Sequence, residues 1–200
     1  MAEKLSIVGI GGTTAAGSST EQALIIALEA ARAEGAEVTL FDGPFLAALP
    51  HYSHRATESS AEALRLVAAV RGAYGLILAS PGYHGSVSGL FKNAIDYIEE
   101  TSKDARVYLD GLPVGLIATA YGWQAIGSTI ATMRSIVHAL RGWPTPLGAG
   151  IRSVAGMFSN NQCCDEPSNS QLQLVGKQVV EFARLRRAAP SILSTGPVEE

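Results

Sequence analysis

Short apolar runs alternate along the chain with longer segments in which apolar residues recur every three or four positions. The runs at 5–10, 38–41, 75–80 and 113–120 are apolar nearly throughout, and 146–151 forms a weaker run. Strands buried on both faces of a parallel sheet have this character, whereas half-exposed strands alternate apolar and polar residues. We therefore predict five buried parallel strands.

The segments between these runs have the spacing of amphipathic helices. Their apolar faces are formed by Leu24, Leu28 and Ala31; by Leu64, Val67 and Val70; by Leu90, Phe91, Ala94, Ile95 and Ile98; by Ile126, Ile130, Met133 and Val137; and by Leu172, Val175, Val179 and Phe182. Strands that alternate with helices in this way predict an α/β fold with a doubly wound parallel sheet. A count of five strands favours the flavodoxin-like order 2-1-3-4-5.

No linker or internal repeat interrupts this pattern, so we assign residues 1–187 to a single domain. Residues 188–200 are rich in turn residues and are expected to form a loose tail. In an open sheet of this kind, ligands bind beyond the carboxyl ends of the strands, where the strand order reverses. That point lies between the first and third strands, so the loops after Ile10, Ser80 and Ala118 are the candidate binding loops.

The composition limits the classes of function. Of 200 residues, 47% are hydrophobic and 16% are charged, with a net charge of −3. This suits one folded domain, and the lack of a basic excess argues against nucleic acid as a partner. The longest apolar runs, such as 114–118, are too short to cross a bilayer, and the N-terminus lacks a secretory signal pattern. We expect a cytoplasmic protein without a membrane partner.

Cysteine and histidine spacing offers no metal site. Cys163 and Cys164 are adjacent, a spacing that rarely forms a relaxed disulfide, and we expect both to be reduced. His51 and His54 have no third ligand nearby in the sequence. We predict no bound metal.

The stretch GIGGTTAAGSSTEQAL, residues 9–24, leads from the first predicted strand into the first helix. Its glycines let backbone N–H groups turn toward a ligand, and its hydroxyls and the helix N-terminus favour an anion. Thr14 stands where a G-x-G-x-x-G motif begun at Gly9 needs glycine, and the Walker A lysine is missing. The stretch therefore indicates a cradle for a mononucleotide phosphate, or else an ordinary helix cap by Ser18 or Ser19.

The stretch SPGYHGS, residues 80–86, follows the third strand and faces this cradle in the predicted sheet. Pro81 restricts the backbone, while Gly82 and Gly85 allow it to approach a flat ligand closely. We interpret the stretch as the wall of a site for a planar heteroaromatic ring. The alternative is a plain strand-to-helix connection, with Ser86 or Ser88 as the helix cap.

This second loop resembles the signature of the NAD(P)H-dependent FMN reductase family of flavodoxin-like proteins, which includes chromate, quinone and azo-dye reductases. The family pattern is Pro-x-Tyr-x-Gly-Ser-x-x-Gly-x-x-Lys-Asn-x-x-Asp. The matching residues are Pro81, Tyr83, Gly85, Ser86, Gly89, Lys92, Asn93 and Asp96. With the first loop and residues 121–148, the resemblance extends over about residues 4–187.

The resemblance implies that the domain binds FMN. It places the phosphate in the first loop, the isoalloxazine ring along the second loop, and the third loop, residues 119–124, at the other edge of the ring. The FMN-binding positions that it implies are Thr13, Ala15, Ser18, Ser19, Thr20, Pro81, Gly82, Tyr83, His84, Gly85, Ser86, Thr119, Tyr121, Gly122 and Trp123.

Two of these positions depart from the family pattern. Ala15 replaces an arginine that helps to hold the phosphate, and the loss of one charge-assisted contact weakens binding by ~1.5–3 kcal/mol. We therefore expect FMN to be held weakly or to act as a substrate. His84 replaces the usual asparagine and either meets the flavin edge or is half-exposed in the loop. Trp123 either walls the substrate pocket or packs at a subunit contact.

The resemblance further implies an NAD(P)H-dependent FMN reductase. In this enzyme NADPH or NADH would reduce FMN, which would pass electrons to a small-molecule acceptor such as free flavin or a quinone. No catalytic side chain is expected, because the cofactor carries the chemistry. The alternatives are an FMN-dependent oxidoreductase acting directly on an organic intermediate of a biosynthetic pathway, and a flavodoxin-type electron carrier. Expected partners are a monooxygenase that receives reduced flavin and further copies of the chain, in a homodimer or homotetramer formed through residues 90–98.

Overall fold

A computed structural model describes residues 4–189 of the chain. The strands are β1 (Ser6–Gly11), β2 (Glu37–Phe41), β3 (Gly75–Tyr83), β4 (Ser86–Val87), β5 (Pro113–Ala120), β6 (Trp143–Arg152), β7 (Phe158–Ser159) and β8 (Gln162–Cys163). The helices are α1 (Ser19–Ala33), α2 (Gly43–Ala48), α3 (His54–Ser59), α4 (Ala61–Gly72), α5 (Gly89–Asp96), α6 (Trp123–Ala139) and α7 (Glu166–Ala188), and a 3₁₀ segment covers Tyr97–Thr101.

The main sheet has the strand path β2-β1-β3-β5-β6, and its neighbouring strands are all parallel. This is the predicted order 2-1-3-4-5. The labels differ because the two-residue strand β4 pairs antiparallel with the end of β3 and takes a number of its own. The α/β fold with a flavodoxin-like order is therefore confirmed.

Both faces of the sheet are covered, as the continuous apolar runs predict. Ile77 of β3 and Ile117 of β5 belong to a core formed with α1 and α7. Their neighbours Leu76 and Leu116 belong to the opposite core, formed with α4, α5 and α6. Successive side chains of a strand point to opposite faces, so these strands need apolar residues at almost every position.

One residue of a predicted helix face is wrong. Leu64 of α4 is 51% exposed, although Val67 and Val70 are buried as predicted. The buried face of α4 also takes in Ala63 and Leu66. Leu64, Val67 and Val70 are spaced by three residues, which fits one face of a helix. Ala63 and Leu66 fit a helical spacing with Val67 and Val70 equally well. The packing of α4 on the sheet decides that these two residues are buried and Leu64 is not.

Residues 42–60 contain two short helices that the sequence pattern does not predict. Asp42 begins α2 by accepting a hydrogen bond from the backbone N–H of Phe45 at 2.9 Å. Ser53 begins α3 in the same way, through the N–H of Ala56 at 3.1 Å. Each helix is six residues long, which is too short for a periodic apolar pattern to appear.

At the C-terminal end, α7 continues to Ala188, one residue into the predicted tail. The rest of that tail, residues 190–200, lies outside the described residues. The division into a domain and a loose tail stays a prediction. Within residues 4–189, no helix has the length and apolar character needed to span a bilayer.

Candidate functional site

A cleft of about 570 Å³ lies at the carboxyl ends of the strands, within the size range of cofactor sites. We call it the central cleft. The three candidate loops converge on it, as the strand order predicts. Its lining residues are Thr13, Gly17, Ser18, Ser19, Thr20, Gln22, Pro81, Gly82, Tyr83, Thr119, Ala120, Tyr121, Ser153, Val154, Ala155, Gly156 and Phe158.

Nearly all of the first loop's predicted positions line this cleft. Ser18 caps α1, since its Oγ accepts a hydrogen bond from the N–H of Glu21 at 3.3 Å. Gln22 donates from Nε2 to the carbonyl of Gly17 at 2.7 Å, which closes the loop onto the helix. The capping role of Ser18 is thus confirmed. A phosphate-binding role for the same loop stays a prediction.

The second loop owes its shape to a tight hairpin turn. Tyr83 at the end of β3 pairs with Ser86 of β4. Between them, His84 and Gly85 both have positive φ values, 51° and 84°, as a type I′ turn requires. Asn-Gly is the favoured sequence for this turn, and here His84 stands at the asparagine position. Both His84 and Gly85 are exposed at the tip rather than lining the cleft.

Hydrogen bonds hold both ends of this hairpin. Ser80 is buried, and its Oγ accepts from the N–H of Ser88 at 3.0 Å and donates to the carbonyl of Pro81 at 2.9 Å. Ser88 in turn caps α5 through the N–H of Phe91. The hydroxyl of the buried Thr129 of α6 donates to the carbonyl of Ala125 at 2.7 Å and also lies 3.3 Å from the carbonyl of Ser86. The loop is therefore tied to β3, α5 and α6 together.

The last part of the family signature serves the fold rather than the cleft. Asn93 accepts from the N–H of Tyr52 and donates to the carbonyl of Pro50, both at 2.9 Å. It thereby clamps the loop that follows α2. Lys92 and Asp96 form an exposed ion pair at 2.6 Å along one side of α5, a spacing that stabilises helices modestly.

A fourth loop, residues 153–158, was missed by the sequence analysis. It follows β6 and forms one wall of the central cleft. Ser153 donates its N–H to the carbonyl of Ala120 at 2.8 Å, and Cys164 of the following hairpin contacts the carbonyl of Gly156. Because β6 ends at the same edge as β1 and β3, the rule that places ligands beyond strand ends applies to this loop as well.

Besides His84 and Gly85, four further predicted positions do not line the cleft. Ala15 and Gly122 are exposed beside it, and Ser86 is turned toward α6. Trp123 is 63% exposed and lines a smaller adjoining cavity of about 270 Å³ together with Arg152 and Val154. Val154 lines both spaces.

The central cleft is electrically neutral. Of the described residues that line it, none carries a charged side chain. The nearest acid in the first loop is Glu21, whose Oε2 accepts a hydrogen bond from the N–H of Gly17 at 3.3 Å. Burial raises the pKa of the Cys163 thiol, which lies outside the cleft and is disfavoured as a thiolate. In residues 4–189, no cluster of three or more His, Cys, Asp or Glu side chains is arranged to hold a metal ion.

The lining fits the groups of FMN. Hydroxyls of Ser18, Ser19 and Thr20 lie at the start of α1, where a helix N-terminus favours an anion, and Thr13 adds a further hydroxyl to the lining. The segment Pro81–Tyr83 lines another part of the cleft, with Gly82 between the rings of Pro81 and Tyr83. A neutral, largely hydroxyl-lined cradle suits a phosphate ester, and the flat wall suits a ring system.

Comparison with known proteins identifies the family. The model of the NADPH-dependent FMN reductase family matches residues 5–154. An FMN-dependent NADPH-azoreductase of Staphylococcus haemolyticus is 38% identical over 71 residues, which is 36% of this chain and 34% of that protein. The match thus spans about a third of the length of the curated relatives.

Solved structures show the same fold. An NADH:FMN oxidoreductase in its apo form has a TM-score of 0.73 and 23% identity, covering 98% of this chain and 97% of its own. The NAD(P)H:acceptor oxidoreductase FerB of Paracoccus denitrificans has a TM-score of 0.68 and 22% identity, covering 90% and 98%. The family match covers most of the chain, and the fold agrees with it. The chain belongs to the NADPH-dependent FMN reductase family.

Proposed function

We propose that the protein is an FMN-dependent oxidoreductase that takes hydride from NADPH or NADH and transfers electrons to a small-molecule acceptor. The observation that carries this proposal is the pairing, in one neutral cleft, of a hydroxyl cradle at the start of α1 with the flat wall at 81–83. Bound FMN supplies the hydride chemistry, so the chain needs no nucleophile or base of its own.

The first loop binds the phosphate end of the cofactor. Ser18, Ser19 and Thr20 stand in or next to the first turn of α1, where unpaired N–H groups and the helix dipole attract an anion. Thr13 also lines the cleft and adds a further hydroxyl. Family members have an arginine where this chain has Ala15, so here the phosphate is held by neutral donors alone.

The second loop orients the ring. The ties from Ser80, Ser88 and Thr129 hold the hairpin in one conformation. A rigid wall keeps the ring at a set distance and angle from the incoming nicotinamide, which lowers the entropy cost of reaching the reactive geometry. Gly82 packs closely against Thr129 and Ala125 of α6, and this contact helps to fix the position of the wall.

Exposed aromatic residues stand at the mouth of the cleft. Tyr83 and Tyr121 line the cleft and are 52% and 87% exposed. The exposed Trp123 lies two residues after Tyr121 in the sequence. Exposed aromatic side chains favour flat, partly apolar partners that can stack on them. This supports a quinone, a flavin or an azo compound as the acceptor, and the similarity to an azoreductase points the same way.

The finer parts of the proposal concern assembly and location. We propose a homodimer or homotetramer in the cytoplasm, with transfer of reduced flavin to a partner monooxygenase as one use of the product. The apolar residues Phe91, Ala94 and Ile95 of α5 are buried within the chain itself. An interface at this helix would therefore use its outer side, near Lys92 and Asp96.

The test is NADPH and NADH oxidation by the purified protein, with and without added FMN, against a panel of quinones, azo dyes and free flavins. We expect FMN-dependent oxidation of at least one nicotinamide and faster turnover with one acceptor class. A protein that binds FMN yet oxidises neither nicotinamide would be an electron carrier and would overturn the proposal. The variant Thr20→Val should lower turnover at limiting FMN, whereas exposed Thr14→Val serves as the matched control.

A further inference from the structure

A carboxylate stands at the phosphate end of the central cleft. Glu21 lies in the first turn of α1, and its Oε2 accepts a hydrogen bond from the N–H of Gly17 at 3.3 Å. Gly17 lines the cleft beside Ser18 and Ser19. The carboxylate therefore takes up a backbone donor that a phosphate in this cradle would otherwise use.

The first loop and the part of α1 up to Ala31 offer no cation to offset this charge. Residues 5–31 contain neither lysine nor arginine. Ala15, midway along the loop, has no charge, and the side chains that line the cleft are neutral as well. A doubly charged phosphate entering the cradle would meet one negative charge and only neutral donors.

Repulsion of this kind depends on the tail of the flavin and not on its ring. FMN carries the phosphate, whereas riboflavin ends in a neutral hydroxyl. Both present the same ring to the wall at 81–83. A negative charge at Glu21 therefore weakens the binding of FMN but not the binding of riboflavin. As a result, the affinities of the cleft for the two flavins become more similar.

We propose that Glu21 sets the flavin selectivity of this protein, so that the cleft accepts unphosphorylated riboflavin nearly as well as FMN. This rests on the proposed function, since it concerns the same cleft. The substrate class is then flavins both with and without a phosphate group. Flavin would then be exchanged during turnover, in agreement with the missing arginine at Ala15.

A purely structural role for Glu21 predicts a different result. An acidic residue in the first turn stabilises a helix by ~0.3–1 kcal/mol through the dipole. Glu21→Gln keeps an oxygen that can accept from Gly17 and removes the charge. If Glu21 only supports α1, this variant should lose stability. Its affinities for FMN and riboflavin should then stay unchanged or fall by the same factor.

The experiment is fluorescence titration of FMN and of riboflavin into the flavin-free full chain, for the wild type and for Glu21→Gln and Glu21→Ala. We expect FMN to bind about five- to tenfold more tightly in both variants, because each removes one partly screened negative charge that repels the phosphate. Riboflavin affinity should change by less than about twofold. A melting curve of each variant confirms that it is folded.

Glu29→Gln is the matched control. It removes the same charge from the same helix about 12 Å further along, where Glu29 pairs with Arg32 on the exposed side. We expect no change in either affinity. Equal tightening in the Glu29 variant would mean that net charge, and not position, controls binding, and it would overturn the proposal.

The outcomes separate this inference from the proposed function. If the wild type binds both flavins and the Glu21 variants leave their affinity ratio unchanged, the Glu21 inference fails while the FMN-dependent activity stands. If the wild type prefers FMN by more than about a hundredfold, the inference also fails. If neither flavin binds the wild type, the proposed function itself fails.

Discussion

The hydroxyl oxygens of Thr20 and Thr119 lie 2.6 Å apart, although the two residues are 99 positions apart in the sequence. Thr20 is in the first turn of α1, Thr119 is near the end of β5, and both side chains are buried on the floor of the central cleft. This hydrogen bond joins the start of α1 to the third loop. Because both groups are buried, each hydroxyl depends on the other for a partner.

Thr119→Val tests this link. The substitution keeps the shape and leaves Thr20 without its partner, so the free energy of unfolding in urea should fall by about 1–3 kcal/mol. The FMN dissociation constant should rise as the floor loosens. The double variant with Thr20→Val should lose less than the sum of the two single variants, since they remove one shared bond. Strictly additive losses would show that the two hydroxyls act independently.

Gly82→Ala tests the close packing of the second loop on α6. An added Cβ would lie 2.8 Å from Oγ1 of Thr129 and 3.2 Å from the carbonyl oxygen of Ala125. We expect a loss of about 1–3 kcal/mol in unfolding free energy from overpacking, with weaker FMN binding because the wall shifts. Gly89→Ala is the control, as an added Cβ there meets no atom within 4 Å. An equal loss in both variants would contradict the packing account.

His84→Asn tests the hairpin turn. Asparagine tolerates the positive φ of 51° at this position better than histidine does. Thermal unfolding should therefore show a gain of a few tenths to about 1 kcal/mol. Gly85→Ala should instead lose about 1–2 kcal/mol, because φ is 84° there although space is open. A large fall in turnover with His84→Asn would show that the imidazole acts on the flavin or the substrate.

Ala15→Arg restores the cation that the family places in the first loop. Ala15 is exposed beside the cradle, and its N–H is bound by the hydroxyl of Thr13 at 3.2 Å. We expect FMN to bind roughly ten- to a hundredfold more tightly and riboflavin to be unaffected. Ala33→Arg adds the same charge at the far end of α1 as a control. Unchanged FMN affinity in Ala15→Arg would place the phosphate elsewhere.

Tyr52→Phe tests the loop that Asn93 clamps. Burial, together with the hydrogen bond to Glu100, raises the pKa of Tyr52 to about 12. A raised folded-state pKa contributes stability that is complete below pH 10 and is lost as the pH rises from about 10 to about 12. We expect Tyr52→Phe to lose about 1 kcal/mol at neutral pH and to show a shallower alkaline decline.

Urea unfolding at neutral pH and at several alkaline values measures this effect. Tyr121→Phe, at an exposed tyrosine, is the control and should follow the wild-type curve. If Tyr52→Phe keeps the full alkaline decline, the Tyr52 hydroxyl is not its source.

Much of the cleft was predictable, because the chemistry of its loops is local. The glycines and hydroxyls of residues 9–24 and the Pro-Gly-Tyr segment each indicate a binding loop from a short stretch of sequence. The strand-order rule then brings those loops to one edge of the sheet. The wall at 153–158 was missed because it contains no such concentration of binding residues, although β6 ends at the same edge.

The sequence by itself determined the parallel sheet, its order and the family. Continuous apolar runs occur where strands are covered on both faces, and the signature after β3 is a local pattern. Tertiary structure alone decided that Thr20 meets Thr119, that Asn93 clamps Pro50 and Tyr52, and that Leu64 points outward. The spacing of hydrophobic residues indicates which side chains can form a core. Contacts between side chains that are distant in the sequence depend instead on how the helices and strands pack against one another.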